Sequence, residues 1–172
     1  MRGYFNISGE LVQQLVYPKG GGGESINKIS LTNIQKVAKC KVDLYVEKRD
    51  QGKIYLLKSV ELPIGVTLIY DCVQFQNTIN QYGLFIKLTN GDTFTLTGSI
   101  DPIADQTVTG VNTLFLSEVS VGDEIRVTGE TRVVASLTSD TELEVTVATT
   151  DTANDTSPDV YNPIALVDVI IN

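Results

Sequence analysis

The chain alternates apolar and polar residues in short runs almost from end to end, and nowhere sustains an apolar stripe at the helical period. Ile29 and Leu31 share a face, as do Val42, Leu44 and Val46, then Ile54 and Leu56, then Leu84, Ile86 and Leu88. Side chains two apart on an extended backbone point the same way, so each run has one side to bury and one to show to water. Between the runs lie Arg49–Lys53, Leu62–Gly65 and Phe75–Gly83, which hold the Gly, Pro, Asn and Asp that turns require. Runs separated by such breaks predict antiparallel sheets instead of alternating strand–helix units. The expected fold class is all-β.

A second constraint is a break in charge. Residues 1–90 carry 11 Lys/Arg against 7 Asp/Glu, whereas residues 91–172 carry 2 against 14. Within the acidic half, Thr107–Val147 is a string of short strands punctuated by Gly, Asp and Ser. After it, Pro163–Asn172 (PIALVDVIIN) returns to the character of the strands before residue 90. This order predicts an antiparallel sandwich of residues 26–90 plus 163–172, whose last strand is delayed by an inserted acidic module, residues 91–162. About five short strands give the module the scale of a small SH3- or OB-like barrel. It should hold a hairpin at Gly129-Glu130 and a tight turn over Ser120–Glu124, with Ala148–Pro163 a polar connector. Asn90-Gly91 is the pair that a type I′ hairpin prefers. Thr93–Thr97 is thus open to two placements, pairing with Leu84–Thr89 in the sandwich or opening the module.

Residues 1–25 read as an N-terminal arm and a glycine-rich loop. Tyr4, Phe5, Ile7, Leu11, Val12, Leu15 and Val16 make the arm too apolar to hang in water, so it should pack as strand on the sandwich or on a neighbouring subunit. Tyr17–Ser25, with four consecutive glycines, reads as a flexible loop. It lacks the Lys-Ser/Thr of a phosphate-binding loop, and no helix follows.

The chemistry of catalysis is sparse. There is no histidine, which removes His-based triads, imidazole proton shuttles and His metal sites. Cys40 and Cys72 have no base to activate them and are too few for a disulfide scaffold. They read as buried thiols, with one bridge between neighbouring strands as the other reading. Asp92, Asp101, Asp105, Asp123 and Asp140 sit singly on turns, where Asp serves local hydrogen bonding, and not as the facing pair that glycan hydrolysis needs. Asp151–Asp159 offers Asp151, Asn154, Asp155 and Asp159 as oxygen ligands for calcium, but without the order of an EF-hand loop; a mobile linker is the other reading. No catalytic, cofactor-binding or metal residue is therefore expected, and the chain reads as no enzyme.

Partners can be narrowed in the same way. Lys36, Lys39, Lys41, Lys48, Arg49, Lys53 and Lys58 are diluted among strands without interleaved aromatics, and an acidic half repels phosphate, which argues against nucleic acid. No apolar run approaches the ~18 residues of a membrane span, and MRGYFNIS is no signal peptide. The expectation is a chain made in the cytoplasm with no membrane partner.

Two stretches carry a resemblance. Phe115, Ser117 and Glu118 lead into Val121-Gly122-Asp123, Ile125 and Val127, then Gly129-Glu130-Thr131-Arg132, Val134-Ala135-Ser136, Ser139-Asp140-Thr141, Leu143 and Val145. In that order they resemble a module repeated in virion proteins of tailed bacteriophages. Lys28–Asn33 (KISLTN), Val42–Val46 (VDLYV), the YLLK run with its LPIG turn, and the terminal VII make the rest similar to immunoglobulin-like structural proteins of T4-like cyanophages and other marine phages. The simple form of that family lacks the insertion, and neither family brings catalytic residues. The resemblance implies an immunoglobulin-like sandwich with a small barrel inserted before its last strand. It also implies a non-enzymatic structural component of a virion, at the capsid surface, neck, tail or baseplate-fibre region. The partners would be other virion proteins and further copies of this chain in a ring or lattice. The rival is a host-surface module of a tail fibre that grips a glycan or outer-membrane protein, for which the acidic module offers only Phe94, Phe115 and Tyr161 as stacking residues.

Overall fold

The computed structural model describes residues 3–17, 24–48, 51–71, 75–77 and 81–172. Cys72 and the four consecutive glycines lie outside the described residues. The first stretch gives β1 (Gly3–Ser8), β2 (Gln13–Val16), β3 (Glu24–Ile26), β4 (Ile29–Asn33), β5 (Cys40–Lys48), β6 (Gly52–Leu62), β7 (Thr67–Tyr70), β8 (Phe75–Asn77) and β9 (Tyr82–Thr89). The acidic stretch gives β10 (Phe94–Thr95), β11 (Ser99–Pro102), β12 (Thr107–Val111), the single helical turn α1 (Phe115–Glu118), β13 (Glu124–Val127), β14 (Glu130–Ser139), β15 (Glu142–Val145) and β16 (Asp159–Asn162). Strand β17 (Leu166–Ile171) ends the chain. The protein is all-β, and among the described residues every strand pair is antiparallel.

Two compact units divide the chain: Met1–Ile34, Lys39–Asn90 and Ala165–Asn172 form the first, and Gln35–Ala38 with Gly91–Ile164 the second. The first unit holds the four-stranded sheets β1-β17-β4-β7 and β2-β9-β5-β6 and the small pair β3-β8. Alternation becomes layering there: Ile29 and Leu31 of β4 and Val167, Val169 and Ile171 of β17 share one core with Val42, Leu44, Val46, Leu84, Ile86 and Leu88 of the other sheet. Each such side chain fully buried contributes about 1.5–3 kcal/mol, so these faces hold the two layers together.

The terminal strand lies between β1 and β4, with Val167 opposite both Ile7 and Asn33. The chain thus leaves the first unit after Asn90 and returns at Ala165 to fill an interior place in a sheet begun at its N-terminus.

The arm packs as strand on the sandwich, the first of its two expected places: β1 and β2 are edge strands of the two main sheets and Ile7, Leu15 and Val16 are buried in the core, so the first unit begins before residue 26. Elsewhere local readings give way. Phe75–Gly83 is not all turn, since β8 pairs with β3. Asn90-Gly91 makes no hairpin between β9 and β10. Long-range bonds override the local preference: the Asn90 side chain accepts from Ala165 N–H at 2.9 Å, while Gly91 N–H donates to Pro163 at 3.2 Å. Of the two placements for Thr93–Thr97, the structure takes the second, because β10 pairs with β16. Finally, Ile54 and Leu56 do not share one buried face: the β5–β6 register shifts between Tyr55 and Leu57, and Ile54, opposite Val46, is exposed while Leu56 is half-buried.

The second unit is one seven-stranded sheet in the order β10-β16-β13-β14-β15-β12-β11, two strands more than the five expected. The difference lies partly in Ala148–Pro163, expected as a connector, whose Asp159–Asn162 is an interior strand. Ile100 in β11 exchanges two 2.8 Å backbone hydrogen bonds with Asp155, just before β16, so the sheet curls back on itself. Leu96, Ile100, Val108, Phe115, Ile125, Val134, Leu143 and Val160 fill its interior. The β13–β14 turn is centred on Thr128-Gly129, one residue earlier than expected, with φ of 50° and 85°. Two successive positive φ values define a type I′ turn. The segment Gln35–Ala38 also belongs to this unit, which a single insertion at 91–162 did not foresee.

Candidate interaction surface

The outer face of β1-β17-β4-β7 follows from strand register. Tyr4 lies opposite Ile170, Ile170 opposite Ser30, and Ser30 opposite Ile69. That row exposes Tyr4 by 71%, Ile69 by 54% and Ile170 by 38%. The next row runs Asn6, Asp168, Thr32, Thr67, tied by an Asn6 Nδ2 to Asp168 Oδ1 hydrogen bond of 2.9 Å and a Thr32–Thr67 hydroxyl contact of 2.9 Å. Asp168 is the one ionisable carboxylate or amine in these four strands. A nearly uncharged face with an apolar row suits contact with protein better than a phosphate or a mobile ion.

The other sheet shows a different outer face. Tyr45 sits between Phe85, stacked with centroids 5.5 Å apart, and Tyr55, tilted at 5.4 Å. Lys53 Nζ lies 4.5 Å above the Tyr45 ring, and Lys58 Nζ 4.5 Å above that of Tyr55. Tyr45 is buried although it points away from the core. Beside it, Asp43 takes Lys58 Nζ at 2.8 Å and Ser59 N–H at 2.7 Å, and Ser59 has a φ of 51° where the β5–β6 register shifts. Burial resists ionisation of Asp43, but the Lys58 and Ser59 hydrogen bonds and the charges of Lys58 and Lys87 together hold its carboxyl below the usual range. Lysines and a bulge are common guards of an edge strand, so β6 is protected in the way natural sheets protect edges.

In the second unit several carboxylates accept hydrogen bonds that tie the chain to itself. Asp123, fully buried, accepts from Ser120 N–H at 2.7 Å and Ile164 N–H at 2.8 Å, with Gln35 Nε2 at 3.4 Å. Desolvation pushes its carboxyl up, against those three hydrogen bonds and the charge of Lys36. Its role is therefore not local alone: it joins segments distant in sequence and fixes Gln35–Ala38 within the unit. Asp140 accepts from Leu116 N–H at 3.0 Å, and Glu118 from Thr97 N–H at 2.9 Å. Glu130 takes the Thr150 hydroxyl and N–H and the Arg132 guanidinium, and these hold its carboxyl below the ordinary value.

Three of the residues weighed as calcium ligands, Asp151, Asp155 and Asp159, are each engaged with different partners. Asp151 accepts from Ala153 N–H at 2.8 Å, Asp155 from Thr128 and Ser157 N–H at 2.6 and 2.8 Å, and Asp159 pairs with Arg126 at 2.7 Å. Among the described residues, no three Cys, Asp or Glu side chains gather where a metal could sit. Cys40 is a buried free thiol, pushed up to about 11 by desolvation.

Of the three aromatics the rival reading needed, Phe115 is fully buried and Phe94 is packed against the core. Tyr161 alone of the three is well exposed, and Arg126 lies 4.8 Å from its ring centre. Sequence reasoning found no part of the Tyr4–Ile170–Ile69 row. The row depends on a register between strands more than a hundred residues apart, and only the excess of apolar residues in the arm pointed to it. No family model, curated protein or solved structure matches this chain.

Proposed function

We propose that the chain is a non-enzymatic structural component of a tailed-phage virion that acts by protein–protein assembly, in contact with other virion proteins and further copies of itself. The observation that carries the assembly reading is the nearly uncharged outer face of β1-β17-β4-β7, where Tyr4, Ile170 and Ile69 stand exposed in one row. Leaving such a row in water is costly at about 25 cal/mol per Å² of apolar surface, and covering it with a neighbour recovers that energy. The two sequence resemblances support the virion context, and the scattered, hydrogen-bonded carboxylates support a role without catalysis. The capsid surface, neck, tail and baseplate-fibre region all offer repeated copies and unlike neighbours of the kind this face suits.

Peptide mass spectrometry of gradient-purified particles from a producing host tests the proposal. The chain should be present at a constant ratio to the other virion proteins, and the pure chain should not hydrolyse polysaccharide or peptidoglycan. Absence from particles, or a turnover abolished by replacing one Asp of residues 91–162, would overturn it.

A further inference from the structure

Strand β1 has a hydrogen-bond ladder on one side, and its end fixes the phase. Gly9 N–H donates to the Ala165 carbonyl at 2.9 Å, continuing the register in which Gly3 faces Ile171 and Ile7 faces Val167. In an antiparallel pair, residues that exchange hydrogen bonds alternate with residues whose N–H and C=O point the other way. Gly3, Phe5, Ile7 and Gly9 therefore bond towards β17, while Tyr4, Asn6 and Ser8 turn their backbone groups outward. The far side of β17 agrees: Ile34 N–H donates to Leu166 at 3.0 Å and Asn172 N–H to Lys28 at 2.9 Å, so the even residues of β17 serve β4 and the odd ones serve β1. Among the described residues, no strand pairs with β1 on its outer side. The edge also lacks the usual guards, since Gly3–Ser8 contains no charged residue, no proline and no bulge.

We propose that β1 pairs with β1 of a second copy, antiparallel about a two-fold axis at Asn6. This rests on the assembly reading above and names one of its contacts. Only another extended backbone can match a row of alternating donors and acceptors. With the axis at Asn6, the three outward positions of one copy meet the three of the other: Asn6 faces the partner's Asn6, and Tyr4 faces the partner's Ser8. All the outward N–H and C=O groups of β1 are then used. Moving the axis to Phe5 or Ile7 leaves one of the three positions without a counterpart in the strand. Side chains agree with this register. Tyr4 covers a small serine on the outer face, and Phe5 meets the partner's Ile7 on the inner one. The two sheets become one of eight strands, in which the row of Tyr4 and Ile170 runs on into the partner's Ser8 and, behind it, the partner's Leu166. A six-residue edge buries less than the ~1,200 Å² of a stable interface, so the pair should be weak between free chains and firm where assembly concentrates them.

Disulfide trapping in the full-length chain tests this, with Cys72→Ser in every variant and the buried Cys40 left in place. A hydrogen-bonded antiparallel pair sets its Cα atoms about 5.5 Å apart, within the roughly 4.4–6.8 Å that a disulfide spans. N6C should therefore form a covalent dimer under mild oxidation about tenfold faster than Y4C alone, whose Cα atoms would lie well beyond about 7 Å from each other. Mixing Y4C with S8C should restore rapid cross-linking. Equal rates for N6C and Y4C, or N6C that stays monomeric while its exchange protection shows it folded, would overturn the proposal. The two readings fail separately. A chain found in particles whose N6C does not cross-link loses this contact only, whereas a chain absent from particles loses the virion role even if N6C dimerises.

Discussion

Replacing Asp123 with alanine removes the hydrogen-bond acceptor on which Ser120, Gln35 and Ile164 converge. Two backbone N–H groups lose partners at 2.7 and 2.8 Å, in a place with almost no solvent. Each buried donor left unmet costs about 1–3 kcal/mol, while relief of the desolvated carboxylate returns part of that, so a net loss of about 3 kcal/mol is expected. D123N should lose about 2 kcal/mol, because an amide has one accepting oxygen and must turn its NH₂ towards either Ser120 or Ile164. The pH dependence has a defined sign. Burial raises the folded carboxyl above its unfolded value. The favourable contribution of the protonated form is thus complete below the unfolded pKa and is lost as pH rises through the folded one. The gap between wild type and D123N should therefore narrow from acid towards neutral pH. Native-state hydrogen exchange followed over residues 91–164 in guanidinium reads these changes without requiring that the two units melt together. Amides of Val37, Ser120 and Ile164 should lose protection first. A change under about 1 kcal/mol in D123A, or a gap that widens with pH, would refute the reasoning.

Other expectations follow from single sites. Ile171 is fully buried between the two layers, so I171A should cost about 2–5 kcal/mol and lower exchange protection in β1 and β4 while leaving residues 91–164 unchanged. Gly98 has a φ of +82° and a new Cβ would meet the Val111 carbonyl and, at 2.7 Å, the Asn112 backbone. G98A should therefore destabilise the β11–β12 end of the second unit by at least about 2 kcal/mol in the same exchange experiment. In a Cys72→Ser chain, the buried Cys40, with its thiol pushed up to about 11, should resist Ellman's reagent at pH 8 until the protein is unfolded.

Alternation made the sandwich legible: the face of Leu84, Ile86 and Leu88 is buried as read, and β17 repeats it with Val167, Val169 and Ile171. The return of that pattern after an acidic stretch was enough to expect the terminal strand back among the first 90 residues, where it pairs with β1 and β4. What local pattern could not show was set by distant partners. Gln35–Ala38 carries no signal of its own and is placed by Gln35 and Lys36, which reach Asp123 and the Val119 carbonyl. Asn90-Gly91 has the chemistry of a tight turn, but its polar groups are claimed by Ala165, Glu10 and Pro163. Tyr45 occupies an outward position and is nevertheless buried, because Phe85 and Tyr55 happen to flank it across two strands. The candidate surface was the least legible part, for its residues meet only once the register of four strands is known.

Cryo-EM reconstruction of the assembled particle tests the central claim most directly. The account predicts repeated copies of this chain at symmetry-related positions, with the face bearing Tyr4, Ile170 and Ile69 covered by neighbouring protein. A reconstruction at side-chain detail in which every ordered protein is another chain, or in which this face stands bare to solvent in every copy, would contradict it.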